Sequence, residues 1–440
     1  MRIEKLYLNE IGPFENLLLE FQKCGNKDKA EIHIFTGTNG VGKSTILYAL
    51  ASALNSGNKE NIGRRFKNKV SSYCDIVFEN DEKINISYDS GNSNFLKIME
   101  FDGIYWKSTR NDSYPVSKYV NSYSNYKPYI KTLSFTFVAF AYSGYRTITS
   151  YNINSIQEIT DNPFNGVLSF TSSHNSTQLI QWLANIITKE ALSRNDKYQL
   201  KANKFRGSID KIEKVIKKIT DVDIKFILET EPLALKLITE GKILNFDILP
   251  DGLKSIISWI GNLSMRMDLI NWYDNNIDIF ERNFILFLDE IDMHLHPKWQ
   301  RKILPAVQKL FPNAQIFVST HSPFVVNSVS DARVYSFDIV DNKSMLISVE
   351  DSNAGHSYSY VLADTFNVKE PFAPETEDKF KEFYELRNKM LDMKNIINDN
   401  ENNKFVQLAT ELAFKSTEIG DIIGRDLRQL KRITGREIEL

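Results

Sequence analysis

Cysteine is scarce in this chain of 440 residues, with only Cys24 and Cys74 present. Two thiols are too few for a disulfide framework and point to a reducing compartment. Long apolar runs are missing as well, and none approaches the ~20 residues needed to span a bilayer. The opening MRIEKLYLNE lacks the apolar core of a secretory signal. Together these absences make a cytoplasmic protein the expectation. An excess of one charge is also lacking: 54 Lys and Arg stand against 56 Asp and Glu, a net charge of −2. Attraction to nucleic acid or membrane through global charge is thereby excluded, so any such binding must come from a local patch. No sustained heptad run occurs, which excludes extended coiled-coil arms. What is there, 42% hydrophobic and 25% charged residues, is the composition of a soluble globular protein. The length allows two or three domains, or one large domain with insertions.

The most specific stretch is IHIFTGTNGVGKSTILYALASAL. Ile32, Ile34 and Phe35 read as a strand, and Ile46, Leu47, Ala49, Leu50 and Leu54 as an apolar helix face. Between them run Gly37, Thr38, Asn39, Gly40, Val41, Gly42, Lys43, Ser44 and Thr45. This is G-x-x-x-x-G-K-[ST] in the strand–loop–helix setting that the motif requires. Glycines let backbone N–H groups curl around phosphates, and the helix beyond them turns its positive end toward the same groups. Lys43 is expected to neutralise the β- and γ-phosphates of ATP, and Ser44 to offer its hydroxyl to Mg²⁺.

A second stretch, FLDEIDMHLHP, gathers three carboxylates and two histidines. His294 and His296 lie two apart, and the zinc-protease spacing of i and i+4 is absent. Just before them, Ile285, Leu286, Phe287 and Leu288 form a short unalternating apolar run, as in a strand buried on both faces. Asp289 and Glu290 at its carboxyl end fall where open α/β sheets bind ligands. Asp289 is expected to hold Mg²⁺ through water, and Glu290 to accept a proton from an attacking water. A third stretch, AQIFVSTHSPFVV, reads as another buried strand ending in Ser319, Thr320 and His321. A histidine there can report on the γ-phosphate, so His321 joins Glu290 as a catalytic candidate.

Taken together, GTNGVGKST, LFLDEIDMHLHP and VSTHSPFVV resemble the ABC-type ATPase heads of the AAA and OLD-like group, relatives of SMC and RecF proteins. The resemblance implies an α/β P-loop NTPase fold, a mixed sheet flanked by helices, with a helical lobe and a C-terminal helical extension. It also implies that two heads sandwich ATP, each giving a signature loop to the other. The matching segment is DILPDGLKSIISWI, in which Leu249, Asp251, Gly252 and Ser255 fit the signature pattern. Pro250 departs from it, standing where the family has a serine that reaches the partner's γ-phosphate. Proline offers neither hydroxyl nor N–H, so slow hydrolysis is expected. In AFAYSGYRTI, Tyr142 and Arg146 match a small motif of the group placed near the nucleotide head, and no Q-loop glutamine is evident.

Four regions are expected: residues 1–150 as the N-terminal part of the head, 151–240 as a helical lobe, 241–345 as the C-terminal part of the head, and 346–440 as a helical oligomerisation or partner region. Tyrosines beside lysines in SYPVSKYVNSYSNYKPYIKTLSFTF suit either base stacking or an antiparallel sheet edge, the latter being commoner. Between Arg194 and Lys218, nine Lys or Arg face three acids. This is the best candidate for a nucleic-acid contact, although a solvated helix face explains most such runs.

After His321 there is neither the space nor the acidic clusters of a Toprim nuclease domain, and no HNH-like Cys/His arrangement. In its head-only architecture, size and C-terminal helical region the chain resembles the ATPases of Septu and retron-associated anti-phage systems. That resemblance implies ATP and Mg²⁺ as cofactors, a homo-oligomer built on head dimers, and a PtuB-like HNH nuclease partner on another chain. A DNA-repair or chromosome-handling ATPase acting directly on DNA is the alternative, and an ATP sensor guarding a toxin is a third reading.

Overall fold

The computed structural model describes residues 1–24, 28–54, 60–68, 70–79, 83–89, 92–102, 105–107, 134–170, 176–352, 354–368, 370–391 and 398–435. Most of the tyrosine-rich segment, from residue 113 to 133, lies outside the described residues. The chain opens with strands β1 (Ile3–Ile11), β2 (Phe14–Glu20) and β3 (Glu31–Gly37), then helices α1 (Lys43–Ala53) and α2 (Glu60–Gly63). Strands β4 (Tyr73–Phe78), β5 (Lys83–Asp89), β6 (Asn92–Asp102), β7 (Tyr105–Lys107) and β8 (Val138–Tyr142) come after them. Next are α3 (Ser176–Asn195), α4 (Gln199–Thr220), β9 (Ile224–Thr230), β10 (Leu233–Thr239), β11 (Lys242–Leu244) and α5 (Asp251–Leu269). The last part of the head contains β12 (Phe284–Leu288), α6 (Pro297–Leu310), β13 (Ala314–Ser319), α7 (Pro323–Val326), β14 (Arg333–Val340) and β15 (Lys343–Asp351). Helices α8 (Tyr358–Asp364), α9 (Pro374–Leu391), α10 (Asp399–Ala413) and α11 (Thr417–Thr434) close the described chain.

The central sheet has the order β15-β14-β3-β13-β12-β8, parallel from β14 to β8 with β15 added antiparallel at one edge. Strands β3, β13 and β12 inside the sheet, and β8 at its edge, are buried at every position. That is the signature of strands covered on both faces, and it explains why FILFL and QIFV lack alternation. Phe35, Phe287 and Phe317 stack across the sheet, with ring centroids 6.3 and 5.5 Å apart. One strand, β13, lies between the strand that leads into the phosphate loop and the strand that carries the acids. That order decides which side chains meet at the carboxyl edge.

A second sheet, β2-β1-β4-β5-β6-β7, is antiparallel, and a third is the small meander β11-β10-β9. Helix α4 buries Ile209, Ile212, Ile216 and Ile219 along one stripe, as its spacing predicts. Residues 151–240, expected to be helical, also contain the β9–β10 hairpin. The alternating patterns of IKFILET and LALKLIT account for it. Similarly, the boundary expected at residue 345 falls inside β15, which pairs with β14 from Lys343 to Asp351.

A buried polar network ties the start of β1 to the central sheet. Arg2 Nε donates to Glu31 Oε2 at 2.7 Å, and His33 Nε2 donates to Glu31 Oε1 at 2.7 Å. Cys24, Glu31 and His33 have ligand atoms within 4.8 Å of one another, but Glu31 is already engaged by Arg2 and His33. The grouping is therefore structural.

The chain divides into two compact units, Met1–Val361 and Leu362–Leu440. In the second, α9, α10 and α11 close around Phe380, Phe383, Leu386, Phe405, Leu412 and Ile423. Asn398 and Glu401 form a reciprocal capping box at the start of α10, and Ser416 caps α11. Among the described residues no helix is long and apolar enough to cross a membrane.

Candidate functional site

The phosphate loop leaves β3 through Gly37, whose φ is 137°. A Cβ there would strike the Phe337 carbonyl, so no other residue fits. At Gly42, φ is 94° and a Cβ would lie 2.6 Å from Phe14 and Pro13. The loop is pressed against the β1–β2 turn. Helix α1 starts at Lys43 without any side-chain cap, leaving its first N–H groups for a ligand.

Lys43 Nζ donates to Gly37 O at 3.0 Å and to Thr38 O at 2.9 Å. Burial lowers its pKa to about 8, while Asp289, Glu290 and Asp292 oppose the shift. A half-desolvated ammonium facing three carboxylates is suited to receiving an anion. Ser44 Oγ donates to Asp289 Oδ1 at 3.0 Å. Thr38, Asn39 and Gly40 are exposed on the loop, and Val41 is buried behind it.

At the end of β12, Asp289 is buried and accepts a second hydrogen bond, from Ser319 Oγ at 2.5 Å. The same Ser319 oxygen accepts the Glu290 N–H at 2.8 Å. Burial, and then the neighbouring charges of Asp289 and Asp292, raise the Glu290 pKa above the ordinary carboxylate value. Thr320 Oγ1 donates to Asp292 Oδ1 at 2.6 Å, fixing the turn that presents His321. Desolvation and the Lys43 charge hold the exposed His321 imidazole below its ordinary pKa, favouring the neutral ring.

Several of these groups line one cavity of about 320 Å³, in which Asn39, Gly40, Gly42, Lys43, Ser44 and Thr45 face Glu290 and His321, with Asp289 behind its wall, bonded to Ser44 and Ser319. Gly12, Pro13, Arg65 and Ser319 also line it. None of these four stood out in the sequence as a site residue. Ser319 sits within the quoted VSTHS run, but nothing there distinguished it from its neighbours. Arg65 belongs to no motif. Its guanidinium lies 4.4 Å from the Tyr48 ring centroid, and Nη1 donates to Thr45 Oγ1 at 3.2 Å.

The proposed signature residues do not line this cavity. Leu249 precedes α5, and Asp251, Gly252 and Ser255 occupy its first turns, with Asp251 exposed and Ser255 buried. Gly252 is packed against the backbone of His294, since a Cβ would sit 2.6 Å from that carbonyl. His296 caps α6, its Nδ1 accepting the Lys298 N–H at 3.2 Å. Tyr142 OH donates to Asn262 Oδ1 at 3.1 Å, and Arg146 Nη2 donates to the carbonyls of Asp289 and Glu290 at 3.0 and 2.9 Å.

The Ser44 hydroxyl, the Asp289 carboxylate and the Ser319 hydroxyl form a hard-oxygen donor set, which fits Mg²⁺ rather than a softer metal.

The basic run on and before α4 is partly neutralised by partners. Arg194 pairs with Glu190 at 2.8 Å, Arg206 with Asp210 and Glu213 at 2.6 Å, Lys211 with Asp278 at 2.6 Å and Lys217 with Asp223 at 2.6 Å.

A phosphate loop on a central strand, paired acids two strands away and a histidine between them define a P-loop ATPase head. Over residues 32–327 the chain matches the family described as "AAA domain, putative AbiEii toxin, Type IV TA system", and it belongs to that family. It is 26% identical over 388 residues to "Retron Vc95 probable ATPase" of Vibrio cholerae serotype O1 biovar El Tor, covering 75% of this chain and 73% of that one. It is 22% identical over 388 residues to "Septu protein PtuA" of Bacillus thuringiensis, covering 87% and 88%. The resemblance to Septu and retron ATPases read from the motifs thus extends over most of the chain. Among solved structures, an SMC head bound to the C-terminal winged-helix domain of ScpA aligns with a TM-score of 0.46 and 13% identity, covering 80% of this chain and 98% of that one.

Proposed function

We propose that this chain is the ATP-hydrolysing subunit of a bacterial antiviral defence complex in the cytoplasm, and that its nucleotide state controls a nuclease supplied by another chain. The observation that carries the reading is the junction of Ser44, Asp289, Ser319 and Glu290 opposite Lys43. The similarity to Septu and retron ATPases supports the defence role.

On this reading the N–H groups of the loop from Gly37 to Thr45 cradle the phosphates, and Lys43 leaves the loop carbonyls to meet the β- and γ-phosphates. Ser44 and Asp289 would hold Mg²⁺, which when bound supplies positive charge to the transferring phosphoryl group. Glu290, made more basic by its surroundings, takes the proton of the attacking water. His321 contacts the γ-phosphate as a neutral donor.

Asp251, exposed on the first turn of α5, serves the nucleotide of a second copy, so that ATP holds a head dimer; Gly252 and Ser255 are buried and shape that turn rather than reach the nucleotide. With Pro250 in place of a hydroxyl residue, turnover is slow and ATP acts partly as a structural clamp. Residues 1–150 and the chain from 241 to the end of β15 at Asp351 together make the head, 151–240 the lobe, and the helices of Leu362–Leu440 the surface for oligomer or partner. The nuclease partner is an HNH protein of the PtuB kind.

The rival reading, an ATPase acting directly on DNA, draws on Lys197, Lys201, Lys204, Lys214 and Lys218, which remain after the ion pairs of the basic run among the described residues are counted. Affinity purification of Glu290→Gln from the native host with ATP and Mg²⁺ separates the two, since this variant should retain nucleotide while hydrolysis stalls. Recovery of a small HNH-type nuclease supports the defence reading. DNA recovered with a simple dimer of this chain, and no nuclease, would overturn it.

A further inference from the structure

Glu290 has a φ of +46°, in the left-handed region that a residue with a Cβ rarely adopts. Such a conformation persists only where its surroundings hold it. Ser319 holds one side, accepting the Glu290 N–H through Oγ at 2.8 Å and the Ile291 N–H through its carbonyl at 3.1 Å. The other side is held from β8, the parallel neighbour of β12. After β8 the chain turns at Ser143, Gly144 and Tyr145 and returns the Arg146 guanidinium beneath the acids. There Nη2 reaches both consecutive carbonyls, Asp289 O at 3.0 Å and Glu290 O at 2.9 Å. Gly144 closes the arrangement, because a Cβ on it would lie 2.8 Å from Glu290 Oε2 and 3.0 Å from Glu290 Cβ.

Arg146 is only 3% exposed, and among the described residues its Nε and Nη1 have no hydrogen-bond partner. Burial lowers its pKa to about 10, against the pull of Asp289, Asp292 and Glu290, so it stays charged at neutral pH. A buried guanidinium that forms no carboxylate fork is a poor stabilising device. Its bonds go instead to the two peptide oxygens that set the direction of the acid pair.

We propose that Arg146 is a positioning residue for ATP hydrolysis, clamping the Asp289 and Glu290 carbonyls so that the Glu290 carboxylate is aimed at the attacking water. The inference rests on the reading of Glu290 as the general base. Nothing in it requires Arg146 to touch nucleotide, so binding and turnover should separate when it is changed.

The test uses the full chain carrying Arg146→Lys, Arg146→Met or Glu290→Gln. Turnover is normalised to the stoichiometry of a bound fluorescent ATP analogue, so that unfolded protein is not counted. The expected result is a kcat lowered about 10- to 100-fold in Arg146→Met, with KM and analogue affinity within about threefold of wild type. Arg146→Lys should recover part of the loss, since an ammonium keeps the charge but reaches the two carbonyls less well. If Arg146→Met does not fold, Arg146→Lys carries the same kcat-against-KM comparison. Wild-type kcat at position 146 beside an inactive Glu290→Gln overturns the positioning role alone. Wild-type turnover in Glu290→Gln overturns the base assignment, and this inference with it.

Discussion

Ser44 Oγ donates a 3.0 Å hydrogen bond to Asp289 Oδ1, joining residues 245 positions apart at the edge of the central sheet. A hydroxyl and a carboxylate in contact could supply two of the six oxygens that Mg²⁺ takes, with waters and phosphate oxygens for the rest. Ser44→Ala should therefore raise the Mg²⁺ concentration for half-maximal ATP turnover by about tenfold, and Asp289→Asn by more, since it removes a full negative charge. Excess EDTA should abolish turnover in the wild type. Turnover measured across an Mg²⁺ titration checks this, and superimposable curves for the variants would remove both residues from the metal site.

Pro250 is the N-cap residue of α5 and provides no side-chain hydrogen bond to the helix. Pro250→Ser restores a hydroxyl that can do two things. It can cap α5, worth about 0.5–2 kcal/mol, or it can reach the nucleotide of a second copy, a charge-assisted contact worth about 1.5–3 kcal/mol. If the signature reading holds, turnover rises about tenfold or more, and more steeply with protein concentration because two copies are needed. If only the cap matters, the melting temperature rises and turnover stays flat. Measuring both on the same preparation distinguishes the outcomes.

Most of the site's chemistry is legible in the sequence because each motif ends a strand. Apolar runs without alternation mark β3, β12 and β13, and a parallel sheet brings their carboxyl ends to one edge whatever the intervening chain does. Illegible are the groups that reach that edge from elsewhere. Arg65 arrives from the turn after α2, and Gly12 from the turn between β1 and β2; neither carries a local pattern that tells it from an ordinary surface turn. Ser319 is a different case, visible in the sequence but mute. Its hydroxyl matters because the register of β13 against β12, Phe287 opposite Phe317 and Leu288 opposite Val318, carries it to Asp289. The β9–β10 hairpin is obscured for another reason. The strong helical periodicity of α4 runs almost directly into it, and the alternation of each short strand is weak beside that signal.

Acid should weaken the head at a defined place. Burial alone would raise the Glu31 pKa, but the hydrogen bonds from His33 and Arg2 outweigh it and hold the carboxyl below its ordinary value. His33 is held below its ordinary value by burial, which outweighs the opposing effect of Glu31. Both groups thus bind protons less tightly folded than unfolded. Their contribution is fully present above the unfolded values, about 6.5 for His and 4.3 for Glu, and is lost as pH falls through the folded values. Denaturation midpoints should therefore begin to drop below about pH 6.5 through His33, and drop further below about pH 4.3 through Glu31. His33→Gln keeps a partner for Glu31 and cannot titrate, so its midpoint should start lower at pH 7.5 but fall less steeply. A variant curve parallel to wild type would place the acid sensitivity elsewhere.

Phe383 is fully buried in the C-terminal unit and stacks on Phe405 with centroids 4.9 Å apart. Phe383→Ala removes a large aromatic from a small core, at a cost of about 3–5 kcal/mol. A unit of this size holds only about 4–12 kcal/mol in total, so the substitution should bring it close to unfolding. In calorimetry the transition belonging to Leu362–Leu440 should move down by at least about 12 °C or vanish. The transition of the nucleotide head, and its upward shift when ATP is added, should remain. Sedimentation of the same variant then reports on assembly. Loss of the oligomer with ATP binding intact would assign oligomerisation to this unit, as proposed. An unchanged oligomer beside a melted C-terminal unit would show that the heads alone hold the copies together, and would leave α9, α10 and α11 as a surface for the partner chain.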